Sequence, residues 1–373
     1  MTRMDNSPLM YQRPSGYSKP LIIWVIVSCW ALAACSGPGY YFQAASGQLK
    51  LNQAKQSVSD LTGDPLTEPE LVKQLETATE ILAFATAHLD LPANGSYSSY
   101  VDLKREAVTW NVVATPALSL KPKKWCFFIA GCFPYRGFFK QTSATRSAQK
   151  YADKGWDVYI SPATAYSTLG KFKDPLLSTM FKGSDVRLAA YLFHELAHQR
   201  VYTRHDGRFN ENYASFVETV GVTAWLEKDD RLDALAQWLL MQQIEKDFSE
   251  LIGSYRIQLS TLYLGDQSES EKLQQKSAIF RSMKDDYQMM VKQKWDGIDY
   301  YSGWFEKPVN NARLALFDTY SGGQCAFANL HERAKGNMIE FNRLAEEYSK
   351  LPTEELTQWL NQTCMIVAPT ADL

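Results

Sequence analysis

The chain has 373 residues, with 39 Lys and Arg against 41 Asp and Glu, for a formal net charge of −2. With 45% hydrophobic and 21% charged residues it reads as an ordinary globular chain, long enough for one large domain or two small ones. That charge balance offers no basic excess for a nucleic-acid partner, and no internal repeat or low-complexity stretch is evident.

Arg3, Arg13 and Lys19 precede an apolar stretch from Leu21 to Ala34. It is too short to span a bilayer comfortably and suits the apolar core of a signal peptide. It ends in Leu32-Ala33-Ala34-Cys35, which matches the bacterial lipobox. The expectation is a lipoprotein signal peptide over 1–34, a lipid on Cys35, and a mature chain over 35–373. Ser36, in place of the Asp that retains lipoproteins in the inner membrane, favours the outer membrane, with the protein facing the periplasm. Export agrees with the cysteines. Cys126, Cys132, Cys325 and Cys364 remain, an even number in a compartment that permits disulfides. The expected pairs are Cys126 with Cys132, across a bend at Gly131, and Cys325 with Cys364.

In chain order, 46–61 and 68–88 read as helices. A sheet follows over 107–170. Its strands are 108–114, 125–129 and 156–160, with a turn at 134 leading into an aromatic segment and a helix near 144–154. The segment 165–170 reads as an edge strand before Asp174-Pro175 turns the chain. An edge strand there can pair with an extended peptide, which singles out Tyr166, Ser167 and Thr168. Tyr166 and Tyr320 are candidate oxyanion or substrate contacts. Arg136 and Arg313 are candidate carboxylate partners, although a lone arginine is usually a surface ion-pair partner. From 185 onward nearly everything reads as helix, interrupted at Asn310-Asn311 and Gly322-Gly323. The first of these helices covers 185–202, with Ser184-Asp185 at its N-cap, and the second covers 209–227.

The first of those two helices contains His194-Glu195-Leu196-Ala197-His198, an HExxH sequence. Residues four apart lie about 40° apart around a helix axis, so both imidazoles can reach one metal ion. Glu195 is about 100° from His194, within reach of a water on that ion. Zinc acidifies such a water to a pKa near 7, and a carboxylate can then take its proton. A catalytic zinc needs a third protein ligand. The HExxHxxGxxH spacing fails, because Val201 and Arg204 stand where Gly and His would be required. Glu211, in Asn210-Glu211-Asn212-Tyr213-Ala214, resembles the NExxA segment of gluzincin peptidases and ranks first. Glu218, on the same helical face, ranks second, with a supporting role on a ligand histidine or a substrate amine as its main expectation. His205 ranks third.

These motifs together resemble a family of bacterial lipoproteins described as predicted aminopeptidases. The resemblance rests on Cys35-Ser36-Gly37-Pro38-Gly39-Tyr40-Tyr41, Ser46-Gly47-Gln48-Leu49, Tyr135-Arg136-Gly137, Ala165–Gly170, Asp174–Ser178, His194–Arg200, Asn210–Glu218 and Asn310–Leu314, in that order. It implies Zn2+ held by His194, His198 and Glu211, with Glu195 catalytic. Asn212 and Tyr213 stand where the family usually has Ser and Phe. The expected fold is α+β and zincin-like, predominantly helical, with a small mixed sheet beside the HExxH helix. The expected activity is hydrolysis of peptide bonds, as an aminopeptidase on a peptide or protein substrate. Two alternatives stand beside it: an endopeptidase acting on envelope proteins, and a non-catalytic envelope lipoprotein with a structural zinc.

Overall fold

The computed structural model describes residues 38–127, 131–165, 167–168, 172–316 and 323–364. The expected signal peptide, Cys35, Tyr166 and Tyr320 lie outside them. The first helix, α1 (Pro38–Gln53), starts earlier than residue 46 and stops short of 61. A short strand, β1 (Gln56–Ser57), and a new helix, α2 (Val58–Gly63), take up the remainder, and Ser57 Oγ caps α2 by accepting from Asp60 N at 3.4 Å. α3 (Pro69–Leu89) has its proline in the first turn, where no backbone donor is lost, and ends at Asp90 in the left-handed region, φ 54°.

The expected sheet is divided. β2 (Ser99–Val101) pairs antiparallel with β1 and parallel with β8 (Leu176–Leu177). β3 (Thr109–Thr115) is central in a second sheet, antiparallel to β6 (Arg136–Phe138) on one side and β7 (Asp157–Ala163) on the other. β4 (Trp125–Phe127) and β5 (Gly131–Phe133) form a separate hairpin in which Cys126 faces Cys132, and these two are joined as a disulfide. Gly131 has φ +84°, a conformation that suits glycine at this bend. α4 (Gln141–Ala152) packs Ala144 and Ala148 on Val112 and Phe138 of the second sheet.

Helices dominate thereafter: α5 (Asp185–Arg200), α6 (Gly207–Lys228), α7 (Leu232–Leu264), α8 (Glu269–Gln293), the single turns α9 (Ser302–Phe305) and α10 (Asn311–Leu314), then α11 (Gln324–Arg333), α12 (Met338–Tyr348) and α13 (Thr353–Leu360). The molecule is thus mostly helical with small mixed sheets, an α+β arrangement. The main core joins α3, α5, α6, α11, α12 and α13 through Ile81, Phe193, Phe209, Tyr213, Phe327, Phe341 and Trp359. At Gly221 a Cβ would sit 2.6 Å from Leu89 Cδ1 and 2.8 Å from Phe193 Cδ2, so this glycine lets α6 approach both α3 and α5. A second core lies between α7 and α8 around Phe248, Met283 and Tyr287. A disulfide joins Cys325 of α11 to Cys364.

One expectation is corrected. The described residues of 165–170, Ala165, Ser167 and Thr168, form no strand. The carboxylate of Asp174 accepts from Thr168 N at 2.9 Å, Thr168 Oγ1 at 2.9 Å and Ser167 Oγ at 3.3 Å. A side-chain acceptor thus takes the backbone donor that a sheet ladder would have used. The preceding strand, β7, ends at Ala163, whose carbonyl accepts from Val108 N at 2.8 Å.

Candidate metal centre

α5 is capped by Ser184 Oγ, which accepts from Arg187 N at 3.3 Å. At its other end Arg200 pairs with Asp90 at 3.1 Å, and Gln199 Oε1 accepts from Asn94 Nδ2 at 2.6 Å. These contacts fix the rotation of the helix and hence the direction of His194, Glu195 and His198. The chain then turns through 201–206 and re-enters helix at α6, capped by Asp206 Oδ1 on Phe209 N at 2.9 Å. Buried Asn210 staples this turn from inside. Its Oδ1 accepts from Thr203 N at 2.9 Å, and its Nδ2 donates to Thr203 O at 2.8 Å. The next residue is Glu211, so the staple delivers the carboxylate to the histidines.

His194, His198 and Glu211 offer ligand atoms that lie within 4.8 Å of one another. Glu211 Oε2 is 3.5 Å from His194 Nε2, and its Oε1 is 3.8 Å from His198 Nε2. Glu218 Oε2 is 3.0 Å from His194 Nδ1, on the far side of that ring. Two imidazole nitrogens and one carboxylate oxygen make a donor set that suits zinc, with Glu218 holding the other nitrogen of a ligand ring. His205, exposed in the turn, is outside the group.

Burial lowers the His194 pKa, but hydrogen bonds to Glu211 and Glu218 outweigh it and hold the imidazole well above its usual value. Burial and the neighbouring His194 push His198 down to about 4, the neutral form a metal ligand requires. Its Nδ1 is buried and has no hydrogen-bond partner among the described residues. Glu195 is raised, by burial first, against the lowering effects of His194 and a hydrogen bond from Tyr191. A carboxylate poised above its ordinary range is the environment expected of a general base.

Several site residues went unread in the sequence. Tyr191 lies four residues before Glu195 on the same helical face, so its spacing could have revealed it. Tyr135, just ahead of β6, is pushed up to about 12 by burial and by the charges of Glu211 and Glu195. Its phenol is therefore a protonated donor at neutral pH. Its motif was noted, but nothing local says that it faces α5. Glu245 of α7 stands beside Glu218 and His194; burial, then Glu218, raise its carboxyl. Asp174 lies close enough to add to the field on Glu195, bringing the loop of Ser167 and Thr168 near the site without strand pairing.

The two arginines differ from a surface ion pair. Arg136 lies 3.9 Å over the ring of Tyr40. Arg313 is buried between Tyr159 and Trp304, at 4.9 and 4.7 Å from their ring centroids. The departures at Asn212 and Tyr213 have structural uses. Asn212 Nδ2 donates to Arg208 O at 2.8 Å. Tyr213 OH donates to Asn342 Oδ1 at 2.8 Å, and Asn342 Nδ2 in turn bonds Leu89 O at 2.9 Å.

A family model described as "Putative aminopeptidase" matches residues 39–360. Neither a curated protein nor a solved structure matches the chain.

Proposed function

Because the chain belongs to this aminopeptidase family, we propose that it is a zinc-dependent aminopeptidase, lipid-anchored through Cys35 at the periplasmic face of a bacterial outer membrane. The zincin-like reading of the fold, the signal peptide over 1–34 and the peptidase domain over 35–373 belong to the same proposal. The observation that carries it is the convergence of His194, His198 and Glu211 beside a Glu195 whose pKa is raised.

His194, His198 and Glu211 would hold the ion, and Glu218, bonded to His194 Nδ1, fixes the tautomer of that ring. Zinc, when bound, supplies Lewis acidity and an acidified water. Glu195 takes a proton from the attacking water on its carboxylate and returns it to the leaving amine. Tyr135, protonated across the physiological range, donates to the oxygen on which negative charge develops. Glu218 and Glu245 form an acidic wall beside His194, in which burial and Glu218 raise the Glu245 carboxyl. Such a wall suits the free α-ammonium group of a substrate, which favours aminopeptidase over endopeptidase action.

The test combines metal analysis with mass spectrometry of a peptide library. Wild type should carry about one zinc per chain and shorten peptides from a free N-terminus while sparing N-acetylated ones. Glu195→Gln should keep its zinc and lose about 10²–10⁴-fold in turnover. Undiminished cleavage by Glu195→Gln, or equal cleavage of acetylated peptides, defeats the corresponding part of the proposal.

A further inference from the structure

α1 has two faces of opposite character. Tyr40, Gln43, Gly47 and Leu51 recur at helical spacing on one side. Tyr40 stacks under Arg136 and on Phe127, at 3.9 and 5.3 Å. Gln43 Oε1 accepts from Phe139 N at 3.1 Å, and Gly47 lies so close to the Phe139 ring that a Cβ would clash with it. That side is therefore docked on the second sheet. About 180° away around the axis lie Phe42, Ala45 and Leu49. Phe42 is 77% exposed and Leu49 56%, with Tyr41 beside them at 43%. No charged residue occurs from Pro38 to Leu49, so over that stretch the outer face is uncharged.

The preceding sequence says what covers this face. The apolar stretch Leu21 to Ala34 ends at Cys35, and α1 begins three residues later. Three residues reach at most about 10 Å. A lipid on Cys35 thus requires the start of α1 to lie at the bilayer surface. No helix among the described residues is long and apolar enough to cross a membrane. A helix with one docked face and one apolar exposed face lies in the interfacial plane instead. Charge agrees: a groove of about 430 Å³ beside α1 is lined by Lys50 and Lys140, while Asp102 is engaged by Lys104 at 2.6 Å and Arg105 donates to Phe139 O and Val108 O at 2.6 and 2.9 Å. Anionic phospholipid headgroups complement such a basic rim.

We infer that the outer face of α1, formed by Tyr41, Phe42, Ala45 and Leu49, seats in the lipid bilayer interface as a second membrane contact beside the Cys35 lipid. This rests on the anchoring part of the proposed function. Because α1 is fixed to β6, it also sets the orientation of the Tyr135 end of that strand, and with it the metal centre, relative to the membrane.

Spin labels test it without reference to activity. The full-length lipidated protein is reconstituted in phosphatidylethanolamine–phosphatidylglycerol vesicles with one label at Phe42→Cys, Leu49→Cys or, as a control, Ile257→Cys, a 70% exposed position on α7. At 42 and 49, collisions with oxygen should exceed those with a water-soluble nickel chelate, and at 257 the order should reverse. Water-like accessibility at 42 and 49 in protein that floats with the vesicles overturns the inference and leaves the anchor standing. Dipolar broadening between labels would assign the face to a second copy and overturn it too. Protein that fails to float overturns the anchoring reading and this inference with it.

Discussion

Two helical hairpins in this chain treat buried charge in opposite ways. In α7–α8 the interior is aromatic and aliphatic, and it holds one buried carboxylate, Asp247. That group accepts from Gln243 Nε2 at 2.8 Å, Lys294 Nζ at 2.7 Å and Trp295 Nε1 at 2.9 Å. Burial pushes its pKa up, but the three donors outweigh burial and hold it below the ordinary value. In α5–α6, His194, Glu195, His198, Glu211 and Glu218 are gathered between two helices. There Glu195 is raised and His198 Nδ1 has no partner among the described residues. The first arrangement satisfies its charge and stabilises the fold. The second keeps a buried carboxyl above its ordinary pKa and a buried imidazole nitrogen unbonded among the described residues, which costs stability and is the pattern of a candidate ligand site.

The largest effect that would sharpen this contrast is at the third ligand. Glu211→Gln should reduce zinc affinity by more than about a hundredfold, and activity with it, as judged by chelator competition, because it removes a ligand rather than an outer partner. Zinc affinity unchanged in this variant, with loss in Glu218→Gln, would reverse the two roles. Tyr135→Phe should lower kcat by about 10²–10³-fold with little change in zinc content, if the phenol serves the developing oxyanion. A change confined to KM would reassign it to substrate binding. Glu218→Gln should weaken zinc by about 10–100-fold, the usual effect of freeing a ligand histidine.

On the other hairpin, Asp247→Ala should cost about 2 kcal/mol in denaturant unfolding, because it strands the buried Trp295 N–H, while the folded fraction keeps its zinc. Its pH dependence has a definite sign. A carboxyl with a depressed folded pKa adds stability above its unfolded value, near 3.9, and loses it as pH falls through the folded value. Asp247→Ala should therefore lose less stability than wild type on going from pH 5 to pH 3. An unchanged acid slope would show that Asp247 is not the group the hairpin depends on. The smallest effect is expected at Asn210→Ala. It should cost about 1–2 kcal/mol through the unpaired groups of Thr203, with a modest fall in zinc affinity as the turn loosens.

Much of the candidate metal centre was legible because it is local. His194 and His198 share a face by helical arithmetic, and Glu195 stands where that arithmetic puts it. Glu211 follows after a turn whose length is written in the chain. What made that short turn workable was not legible as a spacing. Asn210 looked like a motif letter, and only packing shows it bonded twice to Thr203 inside the turn. The segment 165–170 shows the opposite failure. Its residues suit a strand, but Asp174, a few residues on in the sequence, offers Thr168 a nearer acceptor than any neighbouring strand.

The sequence by itself determined the helical periods, the cap at Ser184 and the HExxH spacing. These depend on contacts within about one or two helical turns, which the order of residues specifies directly. Only the tertiary structure decided that Tyr135 and Glu245 reach the site, that Arg313 is buried between Tyr159 and Trp304, and that the sheet is divided. Tyr135 with Glu195, Glu245 with His194 and Arg313 with Tyr159 are pairs far apart in sequence, from about 50 to about 150 positions, and are selected by how the hydrophobic faces of whole elements fill space against one another. A one-dimensional pattern can say that such a face exists, but not which other face it meets.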